Sequence, residues 1–168
     1  MPCANVSYKE IPLKLKAAYS AAEKSDDRST KNGAILVKEG WNVLTGWNHM
    51  MEGWGGELEH HERPFKYWIT EHAERDVLLK AASKGICTKG MTLVANWVAC
   101  PDCARAIVLA GIDTVICHKD CQKLTPERWK DMVTAGIDIM KQGGVRVIEW
   151  EGKIGGIHNI HNGELWAP

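Results

Sequence analysis

Residues 91–117 read MTLVANWVACPDCARAIVLAGIDTVIC, and their alternation decides the fold class. Met91 to Trp97 is a strand-like run, Pro101 to about Ala110 has helical spacing with Gly111 as its stop, and Thr114-Val115-Ile116-Cys117 is again strand-like. Working upstream, Tyr8 to about Asp27 carries Leu13, Ala17 and Ala21 at helical spacing. It ends in the polar run Ser25-Asp26-Asp27-Arg28-Ser29. Gly33-Ala34-Ile35-Leu36-Val37 reads as a buried strand, and Val43 to Trp47, after Gly40, as its hairpin partner. Thr70 is the expected N-cap of a helix through Val77, Leu78, Ala81 and Ala82 to Gly85, with Glu71 and Glu74 in the first turn. Downstream, Thr125-Pro126-Glu127 starts a helix whose one face carries Trp129, Val133, Gly136 and Met140, and Val145 to Trp150 is a last strand.

These elements predict an α/β protein: a three-layer α/β/α sandwich with a mixed sheet of about five strands and helices on both faces. A single domain over 1–168 is expected, with its core at about 8–150 and a tail from 151–168. Asn48 to Tyr67 has no sustained period and reads as a long, functional loop. No internal repeat or low-complexity segment interrupts the chain.

A composition of 45% hydrophobic and 25% charged residues suits one ordinary core. Lys+Arg and Asp+Glu are both 21, so no global basic field draws the chain non-specifically to nucleic acid. The N-terminal residues form no signal pattern, and no window approaches the roughly 18 apolar residues of a membrane span. The expectation is a cytoplasmic protein. Its six cysteines are read as reduced, two of them on metal.

Chemistry concentrates in His72-Ala73-Glu74 and Cys100-Pro101-Asp102-Cys103. With Pro101 at the first helical position, Cys100 is the N-cap and Cys103 lies on the same helix face, so both sulfurs can approach one ion. The positive end of the helix favours thiolates, the form that binds zinc. Two helix starts facing each other satisfy both spacings, with His72, Cys100 and Cys103 as ligands of Zn²⁺. One imidazole and two thiolates leave the fourth tetrahedral position to water, as in a catalytic site. Zinc lowers the pKa of that water to about 7. Glu74 is the carboxylate in reach to take and deliver its proton. A structural zinc site would want a fourth protein ligand and has no use for Glu74.

These residues resemble the zinc-dependent cytidine/deoxycytidylate deaminase superfamily, whose signature pairs H-x-E with P-C-x-x-C. Gly33 to Val37, Thr45-Gly46-Trp47-Asn48, His72 to Arg75, Cys103 to Ile107 and Ala110-Gly111-Ile112 look most like the deoxycytidylate branch. The resemblance spans roughly Tyr8 to Trp150. It implies a small-molecule nucleotide substrate, water attack at C4 of the pyrimidine with loss of ammonia (dCMP to dUMP), and a homo-oligomer. Carried over by position, Asn48 matches the residue that hydrogen-bonds the sugar, the Ala73 N–H the group that holds the pyrimidine O2, and Trp97 an aromatic beside the base. Three positions depart from the family pattern: Ala99 before Cys100 in place of Pro, Asp76 in place of a frequent Asn, and Asn32 in place of Val.

Several assignments remain open at this level. Trp97 fits core packing equally well, and Asn48 fits a turn cap. Arg63 and Lys66 are cations for a 5′-phosphate or solvated loop charge. Cys117, His118 and Cys121, with His60 or His61, are either a second zinc set or buried structure. Alternative readings are a deaminase of cytidine, guanine, tRNA adenosine or a 5-modified dCMP, or a zinc protein that binds nucleotides without turnover.

Overall fold

The computed structural model describes residues 5–168. In chain order it contains α1 (Ile11–Ala22), β1 (Gly33–Lys38), β2 (Trp41–Trp47), β3 (His49–Met50), α2 (Lys66–Ile69) and β4 (Thr70–Glu71). There follow α3 (Ala73–Ser83), β5 (Thr92–Ala95), α4 (Pro101–Leu109), β6 (Thr114–His118), α5 (Lys119–Lys123), α6 (Glu127–Gln142) and β7 (Arg146–Trp150). The C-terminal segment forms a hairpin, β8 (Asn159–His161) and β9 (Glu164–Trp166). No helix among the described residues is long and apolar enough to cross a membrane.

The central sheet has five strands in the order β2-β1-β5-β6-β7, mixed as expected. β1 runs antiparallel to both β2 and β5, while β5, β6 and β7 are parallel. Side chains alternate across a strand, and each face has its own core. Leu36, Leu93, Ala95 and Val115 pack with α3, α4 and α6 through Val77, Ile107 and Met140. Ile35, Val37, Val94 and Ile116 pack with α1 through Ile11 and Leu15. Burial on both faces explains why β1 and β5 read as continuous apolar runs.

The structure corrects several boundaries. The first helix is preceded by a 3-10 turn, Tyr8–Glu10, and stops at Ala22 rather than near Asp27. There Asp27 Oδ1 accepts from the Ser29 and Thr30 N–H groups, a local alternative to helical bonding. Thr70 is not an N-cap; it pairs with Met50 in the small β3–β4 sheet, and His72 caps α3. β5 ends at Ala95, short of Trp97. Within the tail, Asn162-Gly163 forms the turn of the β8–β9 hairpin. Cys87, Cys100, Cys103, Cys117 and Cys121 are free, and Cys3 lies outside the described residues.

Candidate active site

The two motifs meet because two helices start toward each other. His72 is the extended N-cap of α3 and Cys100 that of α4, with Pro101 supplying the preset first-turn φ. Two glycines set the approach. A Cβ on Gly46 of β2 would lie 2.6 Å from the Ala73 carbonyl oxygen, and one on Gly136 of α6 would lie 2.0 Å from that of Ala99. β2 and α6 can therefore press against the backbone carrying each motif only where a side chain is lacking.

His72 Nδ1 lies 3.5 Å from each of the Cys100 and Cys103 sulfurs. Zinc bonds of about 2.0–2.1 Å to nitrogen and 2.3 Å to sulfur, at a tetrahedral angle, put the two donors about 3.5 Å apart. The three ligand atoms all lie within 4.8 Å of one another. The donor set thus fits a zinc ion in both chemistry and spacing. Without an ion, the Cys100 thiol is lowered to about 4, chiefly because Cys103 hydrogen-bonds to it. Cys103 is raised in turn by the same contact, so one thiolate and one thiol share the pair.

His72, Glu74 and Cys100 line one cavity with Asn48, Arg63, Trp97, Arg128 and His161, among others. Glu74 is buried, and burial, the largest influence on it, raises its pKa. Its carboxylate bonds its own backbone N–H and no other residue among the described ones, which leaves it acceptor capacity for a ligand. The Ala73 N–H stands at the first position of α3, where a helix supplies no acceptor. Trp97 lines the cavity with its Nε1–H donated to Thr125 Oγ1 at 3.0 Å.

Asn48 and the cations behave less simply than a motif reading suggests. Asn48 Oδ1 accepts from the Asn32 N–H at 2.7 Å, and its Nδ2 donates to the Thr30 carbonyl at 2.8 Å. Its amide therefore holds the cavity wall at residues 30–32 and keeps one N–H free. Asp76 braces it from either side, accepting from the Trp47 N–H and meeting the His49 ring at 3.3 Å. Lys66 forms a buried ion pair with Asp27 at 2.9 Å, which ties its charge to the fold. Arg63 lines the cavity, its Nε donating to the Tyr67 hydroxyl. Arg128 and His161, not singled out from sequence, line it too. The Asn-Gly turn was the available signal for His161, since a hairpin there folds the tail back onto the core.

The second zinc set does not assemble. Cys117 Sγ receives the Gln122 amide, while His118 sits between the Tyr19 hydroxyl and the Gly152 carbonyl. His60 and His61 bond the backbone of Gly55. Among the described residues, His72, Cys100 and Cys103 are the cluster with metal-site spacing.

Residues 10–119 match the family model for the cytidine and deoxycytidylate deaminase zinc-binding region. A protein from Aliivibrio fischeri described as an uncharacterized deaminase in the luxG 3′ region is 31% identical over 123 residues, covering 73% of this chain and 81% of that one. The deoxycytidylate deaminase of Enterobacteria phage T2 is 27% identical, with 82% and 93% covered. The crystal structure of the dCMP deaminase from cyanophage S-TIM5 in complex with dCMP and dUMP superposes with a TM-score of 0.70 at 30% identity, covering 86% of this chain and 99% of that chain.

Proposed function

The chain belongs to the cytidine and deoxycytidylate deaminase zinc-binding family, and from that premise we propose that it hydrolyses dCMP to dUMP and ammonia. The observation that carries the reading is a buried Glu74 in one cavity with His72 and Cys100, two of the three donors at zinc spacing. His72, Cys100 and Cys103 hold the zinc. Bound there, zinc acts as a Lewis acid that makes water a nucleophile near neutral pH.

Glu74 takes a proton from the water that attacks C4 and delivers it to the ring N3; the second water proton passes to the amino group, which leaves as ammonia as the C4 carbonyl forms. The Ala73 N–H holds the pyrimidine O2, Trp97 borders the base, and the free N–H of Asn48 reaches a sugar oxygen. The choice of dCMP rests on the relatives: the phage T2 and S-TIM5 proteins are both dCMP deaminases. An anionic substrate also agrees with Arg63 and Arg128 at the cavity.

The test is ammonia release from zinc-loaded protein with dCMP, CMP, deoxycytidine, cytidine, dCTP and guanine. Selective turnover of dCMP, lost in Glu74→Ala with zinc retained, is the expected outcome. Preference for another base or for unphosphorylated nucleosides would overturn the substrate, and activity in Glu74→Ala would overturn the proton carrier.

A further inference from the structure

The C-terminal hairpin lies outside the matched residues 10–119 yet reaches the cavity. It is fastened to the cavity wall at residues 29–32. Lys31 N–H donates to the Ile160 carbonyl, Asn159 Nδ2 to the Lys31 carbonyl, Gly163 N–H to the Ser29 carbonyl, and Asn162 N–H to Thr30 Oγ1. Its outer strand brings Trp166 onto His118, the rings stacked at 6.0 Å. The hairpin is thus a built part of the wall, and His161 at the end of β8 is what it carries inward.

The His161 ring is only 3% exposed and stands edge-on to Trp97, with ring centres 4.9 Å apart. Its Nε2 is buried without a hydrogen-bond partner among the described residues. Asn32 Oδ1 and Thr70 Oγ1 share that condition, and both residues line the same cavity. Buried polar atoms without partners are costly and uncommon. Among the six such atoms of the described residues, these three belong to residues of the cavity lining, where a ligand can supply the missing partners.

The remaining network fixes which kind of group His161 offers. The Gly152 carbonyl can only accept, so His118 Nε2 carries hydrogen and His118 Nδ1 accepts from the Tyr19 hydroxyl. The Tyr19 proton is therefore committed to His118. Cys121 keeps its proton, its thiol pushed up to about 12 by burial. Its Sγ lies 3.8 Å from His161 Nδ1 and also neighbours the Tyr19 hydroxyl, and the imidazole nitrogen is the better acceptor of the two. With Nδ1 accepting and burial holding the ring neutral, Nε2–H is a donor. The next residue, Asn162, accepts from the Arg128 guanidinium at 3.0 Å, and Arg128 lines the cavity as well. A neutral donor and a cation lining one cavity suit an anionic oxygen.

We infer that the C-terminal hairpin is a phosphate-recognition element, in which His161 and Arg128 contact the 5′-phosphate of the bound pyrimidine nucleotide and so separate nucleotides from nucleosides. This rests on the nucleotide reading above and adds a specificity-determining residue beyond the matched motifs.

Calorimetric binding of the product pair, dUMP and deoxyuridine, to the zinc-loaded full chain tests it without turnover. The unaltered protein is expected to prefer dUMP. His161→Phe should weaken dUMP about ten- to a hundredfold, the range for one hydrogen bond to a charged group, and change deoxyuridine less than about twofold. His161→Gln, which keeps an N–H, should recover part of the loss. Equal weakening of both ligands, no change in either, or no preference for dUMP in the unaltered protein would overturn the inference. Preference for dUMP without turnover of dCMP would leave the inference standing and overturn the proposed reaction instead.

Discussion

At the metal-binding end of the cavity, His72, Glu74, Cys100 and Cys103 come from two helix starts, and each pair is close in sequence. The far end, by contrast, is the set Arg63, Arg128 and His161, drawn into the lining from a loop, the first turn of α6 and the tail. The metal end is built by backbone geometry that short motifs encode: an extended N-cap, a proline at the first turn, a thiol three residues on. The far end is built by long-range hydrogen bonds that join residues 29–32 to residues 159–163. On the proposed reading, the reaction chemistry lies within the matched residues 10–119, while Arg128 and His161, which would choose the substrate, lie outside them.

If the two ends are separable in this way, changes at one should leave the other's readout intact. The largest effect is expected from Cys103→Ala, which should remove both zinc, measured by metal analysis, and turnover. Full zinc occupancy in that variant would sink the ligand set. Glu74→Ala should cost about 10²–10⁴-fold or more in kcat with zinc unchanged, the range for loss of positioned proton transfer.

At the far end, Lys66→Met leaves Asp27 buried without its cation. It should lower stability by about 3–5 kcal/mol in denaturant unfolding, while whatever folds still binds zinc. Loss of zinc in proportion to a much smaller stability change would break the separation. Gly136→Ala tests the support behind the metal end. The added methyl meets the Ala99 carbonyl and should cost about 1–3 kcal/mol by overpacking, with zinc affinity falling alongside.

The smallest effect concerns pH in the metal-free protein. Burial raises the Glu74 pKa above its unfolded value, so the folded state holds the proton to higher pH than the unfolded chain. Its ionisation therefore opposes folding increasingly as pH rises above the ordinary carboxylate range, and has no effect well below it. Metal-free Glu74→Gln should melt higher than the unaltered protein at pH 7 and lose that advantage near pH 3. An advantage that persists at pH 3 would mean that packing, not charge, is responsible.

Much of the fold was legible because its signals are local. Gly33 to Val37 is buried on both faces and so reads as apolar throughout, and Pro101 and Gly111 bracket α4. Thr70 misled because its side chain suits an N-cap, whereas pairing with Met50 draws it into a strand and moves the cap to His72. The hairpin was missed because β8 and β9 are three residues each, too short for a period. The folded chain turned Lys66 from a candidate ligand contact into a structural ion pair. It likewise drew most of the Asn48 amide into the wall.

By itself, the sequence determined the α/β class and singled out the cluster with zinc-site spacing and the carboxylate proposed to carry the proton, since these depend on residue type, spacing and helix-start geometry within a few positions. Tertiary structure alone decided which cations stay free, which amides are already bonded, and that a tail histidine stands beside Trp97. Those outcomes depend on hydrogen bonds between residues as much as 134 positions apart, as between Gly163 and Ser29. No local pattern specifies such pairings; they follow from how the hairpin closes over the wall.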